Sequence, residues 1–350
     1  MSIEQKKSTY VGLDIGKFLC AFLILFYHYF SEHGSLPGIL DEILSLYAVA
    51  VALFMSISGF LLFNKLENVV KTQDRWAIVR TQVARIYSIY LLWSIPYLLF
   101  SISRWNWESI TLGYVLWQIQ GWVFSSTFYT IWFMPMLALG LVLTFLLTEK
   151  LPMWSVYVLA AICYAIGSLS LTYQFVGNRI PGFTVFVSFS SLWLGGARGW
   201  LFYAFPLIMV GRSLARVKDR VKSLPMACGS LMCVGIMLGE ALLLRKLSGR
   251  HTGIDMTVMM IPTVYCVLGF LISTRPPYGK YCVWMRNTST LIFMSQRLFL
   301  TVIPLSFPRI GEVMFADKYI GAMVLLALEV GLACLIIRLS SKYPALRKLY

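Results

Sequence analysis

The chain has 350 residues, of which 59% are hydrophobic and 13% charged, and its mean hydropathy is +0.74. Soluble domains run about 45–50% apolar and about 25% charged, so a soluble enzyme, a disordered chain and a disulfide scaffold are all excluded. The net charge of +15, from 30 Lys and Arg against 15 Asp and Glu, lies between hydrophobic runs and reports membrane topology, not nucleic-acid binding.

Taken in order, the apolar runs predict ten spans near residues 11–30, 46–63, 83–102, 131–148, 153–171, 199–211, 225–244, 257–273, 288–306 and 320–339. At about 20 residues per span they use about 200 residues and leave no room for a sizeable soluble domain. Lys6 and Lys7 precede the first run, and no small-residue cleavage site follows it, so it reads as a retained helix. With the N-terminus inside, cytoplasmic segments carry 20 Lys and Arg and outer segments 8. That bias places both termini in the cytoplasm. Residues 110–127 and 183–197 are apolar but would reverse the bias if they crossed, so they are read as interfacial or re-entrant. The expected fold is an all-α polytopic bundle of about ten transmembrane helices, residues 1–350 forming one membrane domain. Six of the seven cysteines fall in or beside these runs and none forms a CxxC pair, which argues against disulfides and a zinc site.

Ionisable groups inside spans are costly and usually face a wet cavity or the bundle interior. The first span holds Asp14, Lys17 and His28. Asp14 and Lys17 are three apart and can pair on one face. Lys17 and His28 are eleven apart, only about 20° beyond three rotations, so they share a face about 16 Å apart along the axis. Lys17 then lies nearer the cytoplasm and His28 nearer the outer surface. His28 is the one near-neutral proton acceptor at membrane depth; His33 and His251 fall in predicted outer loops, where solvation is expected. Arg297, deep in the ninth span, is expected to face a cavity or pair with an acid such as Glu329 or Glu240.

The spacing Lys17-x10-His28 resembles the Arg-x10-His signature that opens the first helix of the membrane acyltransferase-3 family. Further stretches match in order: LFMSISGFLL at 53–62, with Ser58, Gly59 and Phe60; RTQVARIYSIY at 80–90, with Arg80 and Arg85; IWFMP at 131–135, with Trp132 and Phe133; FYAFPLIMVG at 202–211; and NTSTLIFMSQRLFL at 287–300. Lys17 stands where arginine is usual, keeping charge but losing the bidentate fork. Gln296 stands where many members carry a second histidine, and Phe293 where tyrosine is usual.

The resemblance implies an O-acyltransferase moving an acyl group, acetyl being the expected one, from cytoplasmic acyl-CoA to a hydroxyl of a surface or lipid-linked saccharide. It implies a multi-pass protein of the plasma or inner membrane, with the bilayer, acyl-CoA and the acceptor as partners and no metal. On this reading Lys17, Arg80 and Arg85 meet the CoA phosphates. His28 serves as base or acyl carrier. Ser58, Trp132, Gln296 and Arg297 bind substrate. Two other readings stand beside it: a secondary transporter of a small anion or amino acid, and an inactive scaffold on the same fold.

Overall fold

In hydrocarbon every backbone polar group needs an internal partner, so long apolar runs close into helices. The computed structural model describes residues 10–34, 36–126, 128, 131–248 and 254–350, and contains no strand among them. In chain order the α-helices are α1 Val11–His33, α2 Ile39–Ser45, α3 Tyr47–Leu66, α4 Thr72–Ser103, α5 Leu112–Phe124, α6 Phe133–Lys150, α7 Met153–Ser170 and α8 Gln174–Gly177. They continue with α9 Phe183–Leu194, α10 Phe205–Val217, α11 Ser223–Ser248, α12 Met260–Ser273, α13 Lys280–Arg297, α14 Ile303–Ser306, α15 Pro308–Met314 and α16 Lys318–Leu339. The protein is an all-helical, polytopic membrane bundle.

Eight helical stretches among the described residues are long and apolar enough to cross a membrane: Val11–His33, Leu40–Leu66, Thr72–Ser103, Phe133–Lys150, Met153–Ser170, Ser223–Ser248, Lys280–Ser306 and Lys318–Leu339. The other two expected spans are also helical but shorter. Arg212 interrupts the apolar run of α10. The 14 residues of α12 rise only about 21 Å, against about 30 Å of hydrocarbon. Helix α4 begins eleven residues before its expected start, because the basic stretch ahead of residue 83 holds no Gly or Pro to stop it. Helices α5 and α9 have 13 and 12 residues and are too short to cross, in keeping with an interfacial or re-entrant position. Lys6, Lys7 and His251 lie outside the described residues.

Helix α3 is apolar on every face and buried along most of its length, so it occupies the centre. It runs parallel to α10. A Cβ on Gly59 would lie 2.6 Å from the Ile208 carbonyl oxygen, and one on Gly211 only 1.9 Å from that of Ser56. The Ser56 hydroxyl donates to the Leu207 carbonyl at 2.7 Å. Such small-residue contact draws two helices together where lipid offers no hydrophobic drive. Helices α1 and α13 also run parallel, tied near their starts by Asp14 and Arg286 and near their ends by His28 and Arg297. Helix α11 instead leaves Leu231, Met232, Leu242 and Leu243 exposed, as a lipid-facing helix does.

Candidate active site

Where α1 ends and α3 begins, a cavity of about 280 Å³ is lined by Ile24, Tyr27, His28 and Ser31 of α1 and Tyr47 and Val51 of α3. Trp132, Phe133, Tyr203 and Phe293 add aromatic wall, and Arg198 and Asp255 add charge. Tyr27 and Tyr47 stack with ring centroids 3.4 Å apart and planes 11° apart. The Tyr47 hydroxyl donates to Asp255 Oδ1 at 3.0 Å, and Arg198 Nη2 donates to Asp255 Oδ2 at 2.5 Å.

Asp255 sits on a connection fixed by its backbone. The hydroxyls of Tyr164 and Ser168 donate to the carbonyls of Thr257 and Met256 at 2.7 and 2.5 Å. The Met256 amide donates to Thr172 Oγ1 at 3.1 Å, and the amides of Val258 and Met259 donate to Glu240 at 2.8 and 3.0 Å. The segment cannot slide without breaking these bonds, so the carboxylate is held in register with the cavity. Arg198 is delivered by a tight glycine turn. Gly195 has φ +74, and a Cβ on Gly199 would lie 1.5 Å from the Leu194 carbonyl oxygen. A π-helical turn, Trp200–Ala204, follows at once and turns Tyr203 to the cavity. Burial opposes the charge on Arg198, but the Asp255 carboxylate, with Tyr47 and Tyr203 beside it, outweighs this and raises the guanidinium above its ordinary value.

A second π-helical turn, Leu298–Val302, directly follows Arg297. Such turns recur at functional sites because they re-aim side chains. Arg297 Nη2 lies 3.1 Å from His28 Nδ1. Its Nη1 pairs with Glu32 and reaches Thr301 Oγ1 at 3.3 Å. Arg297 also faces a second cavity, of about 410 Å³, lined by Glu32, His33, Leu300, Thr301, Pro304 and Leu305. The acid that pairs with Arg297 is therefore Glu32, one turn beyond His28 on the same helix. The expected partners are engaged elsewhere: fully buried Glu329 accepts from Ser295, and Glu240 from Tyr173 and the 258–259 amides. His33 is not a loop residue. It ends α1, stacks on Tyr29 with centroids 4.8 Å apart, and bonds the Tyr29 carbonyl through Nδ1 at 3.2 Å.

At the opposite end of α1, Asp14 pairs with Arg286, not with Lys17: Arg286 Nε and Nη2 donate to its two oxygens at 2.8 and 2.6 Å. The planar fork of an arginine from a neighbouring helix fits a carboxylate better than a lysine one turn along the same helix. Lys17 lies within electrostatic range of Asp14, Arg286, Arg85 and Lys65, which makes this end strongly basic. Arg80 and Arg85 are exposed on α4. Between the two ends Phe54, Phe133 and Phe293 pack with centroids 5.5–6.0 Å apart. Phe133 and Phe293 of this cluster stand in the cavity wall.

Of the residues singled out in the sequence, His28 and Trp132 line the cavity, and Arg297 contacts His28 from the adjoining one. Lys17 and Arg85 gather at the other end. Ser58 does not line the cavity; its hydroxyl donates to the Phe54 carbonyl of its own helix at 2.8 Å. Gln296 is fully buried, donates to the Phe293 carbonyl at 2.9 Å and does not line the cavity either. Its neighbour Arg297 is the residue of α13 that reaches the histidine. Sequence reasoning missed Glu32, Tyr47, Arg198 and Asp255. Glu32 carried a readable signal, since it lies four residues after His28.

The chain belongs to the acyltransferase-3 family: the family described as an acyltransferase domain matches residues 10–337. It is also similar to two proteins of Enterococcus faecalis, each called amino-acid racemase. The first is 26% identical over 297 residues, covering 81% of this chain, and the second 22% identical over 273 residues, covering 77%. In both cases the match spans only 38% of the relative's length. No solved structure matches.

Proposed function

We propose that this chain is an acyl-CoA-dependent O-acyltransferase of the plasma or inner membrane, moving a short acyl group, acetyl first among them, to a hydroxyl of a surface or lipid-linked saccharide. The observation that carries this reading is His28 in a polar cavity at one end of a bundle whose other end is basic, in a chain of an acyltransferase family. The Lys17 end, with Arg85 and Arg80, faces the cytoplasm and binds the CoA phosphates. The pantetheine arm passes the cluster of Phe54, Phe133 and Phe293 to bring the thioester to His28. Trp132 and the Tyr27–Tyr47 stack offer ring faces to a sugar, and Arg198 and Asp255 offer hydrogen bonds to its hydroxyls. The cavity volume suits a small acyl group and the reacting part of an acceptor, not a whole CoA.

The test is transfer from labelled acetyl-CoA in inside-out vesicles, comparing wild type with His28→Ala at matched folded protein. Label should pass to a membrane or lumenal product with wild type only. No transfer together with no CoA binding by purified protein overturns the reading.

A second reading is an amino-acid-binding membrane domain, favoured by the similarity to proteins called amino-acid racemases and by the opposite charges of Arg198 and Asp255 in one small cavity. Saturable uptake or binding of a labelled amino acid, abolished by Asp255→Asn and unaffected by CoA, would select it.

A further inference from the structure

The contact between Arg297 and His28 constrains where the imidazole proton resides. A guanidinium nitrogen has no lone pair and can only donate. Arg297 Nη2 stands 3.1 Å from His28 Nδ1, so Nδ1 is the acceptor and the ring's proton is on Nε2. The clamp is not free to turn: Glu32 pairs with the other terminal nitrogen, Nη1, which also reaches Thr301, and the π-helical turn begins at the next residue. His33, five residues on, shows the opposite state, its Nδ1 donating to the Tyr29 carbonyl. The remaining nitrogen of His28, Nε2, therefore carries a hydrogen and has no lone pair to offer. A base must accept a proton, and among the described residues lining this cavity Asp255 is the only carboxylate.

We propose, resting on the acyl-transfer reading above, that His28 works as a hydrogen-bond donor and Asp255 as the proton acceptor, with Arg297 the positioning residue that sets the His28 tautomer. The acceptor hydroxyl oxygen attacks the thioester carbonyl carbon and forms the new C–O bond. Its proton passes to the Asp255 carboxylate. The oxyanion is held by His28 Nε2–H. The tetrahedral intermediate then collapses, the C–S bond breaks, and the thiolate takes the proton from Asp255, giving ester and free thiol. Tyr47 and Arg198 bond the same carboxylate and keep it aimed; each Asp255 oxygen still has a second lone pair.

Two measurements on the full chain in nanodiscs test this. The first is nitrogen NMR of histidine-labelled protein, with His28 assigned by its disappearance in His28→Gln. A neutral ring protonated at Nε2 is expected. The Nε2–H share should fall in Arg297→Leu, which offers no donor, and return in Arg297→Lys, which keeps one. A ring protonated at Nδ1, or a signature unchanged in Arg297→Leu, overturns the proposal, and neither result depends on activity. The second is transfer from labelled acetyl-CoA at matched folded protein. A glutamine carboxamide can accept from Arg297 and still donate where Nε2 did, but it cannot act as a base. His28→Gln should stay within about tenfold of wild type while His28→Ala falls at least about a hundredfold, as for loss of one oxyanion donor. Asp255→Asn should fall by about a hundredfold or more. His28→Gln as inactive as His28→Ala, or an active Asp255→Asn, overturns the proposal. No transfer by wild type with the expected NMR signature overturns instead the acyl-transfer reading on which it rests.

Discussion

Asp14 and Arg286 join the first turn of α1 to the second turn of α13 through two parallel hydrogen bonds, with Asp14 only 4% exposed. Fourteen residues later in α1, and eleven later in α13, His28 meets Arg297. The two contacts hold the helices in register, so the lower one supports the geometry of the upper. Arg286→Ala leaves a buried carboxylate unpaired and should cost about 1–3 kcal/mol, lowering the apparent Tm by several degrees. Removing both charges in Asp14→Asn/Arg286→Gln should cost less than the single change. A double variant no more stable than Arg286→Ala would show that the lone Asp14 carboxylate carries no burial penalty.

The α3–α10 contact makes a prediction about volume alone. Gly211→Ala pushes a methyl group against the Ser56 carbonyl, backbone on both sides, so the helices must part. Folded protein recovered after detergent extraction should drop sharply. Gly235→Ala, whose Cβ would meet nothing within 4 Å, should match wild type. Equal recovery of the two variants would rule out close backbone approach at this seam.

Tyr47→Phe keeps the stack on Tyr27 and removes only the hydroxyl that Asp255 accepts. The expected loss of stability is about 1 kcal/mol, with a fall in acyl transfer of about tenfold from misplacement of the carboxylate. Thermal unfolding and turnover on the same preparation separate the two effects. A turnover unchanged from wild type would remove Tyr47 from the site.

The basic end should show in donor affinity, not in turnover. Lys17→Gln and Arg85→Gln should each raise KM for acyl-CoA about tenfold, or 1.4 kcal/mol, with kcat nearly unchanged, as for loss of uniform binding. High salt should narrow the gap. A fall in kcat at constant KM would place these residues near the reacting atoms instead.

The sequence was legible wherever a property belonged to a single helix. Lys17 and His28 share a stripe because helical geometry is local, and the basic loops and apolar runs announced a bundle. Residues 110–127 and 183–197 could be read as not spanning on charge balance alone, and the helices they form, α5 and α9, have only 13 and 12 residues. Reading failed where a partner had to be chosen. Asp14 has Lys17 three residues away yet bonds Arg286, and Arg297 has several acids within reach of imagination yet bonds Glu32.

Composition and periodicity by themselves determined that this is a helical membrane protein with an ionisable stripe on its first helix, since insertion in lipid is decided by apolar length and charge. Only the tertiary structure decided the site. Tyr47, Arg198 and Asp255 are separated by up to 208 residues and lie at helix starts or connections, where no period exists to read. Their meeting depends on which helices pack together and on the glycine turn that delivers Arg198. The same packing sets the proton on His28, because a tautomer is fixed by the group across the hydrogen bond and that group comes from another helix.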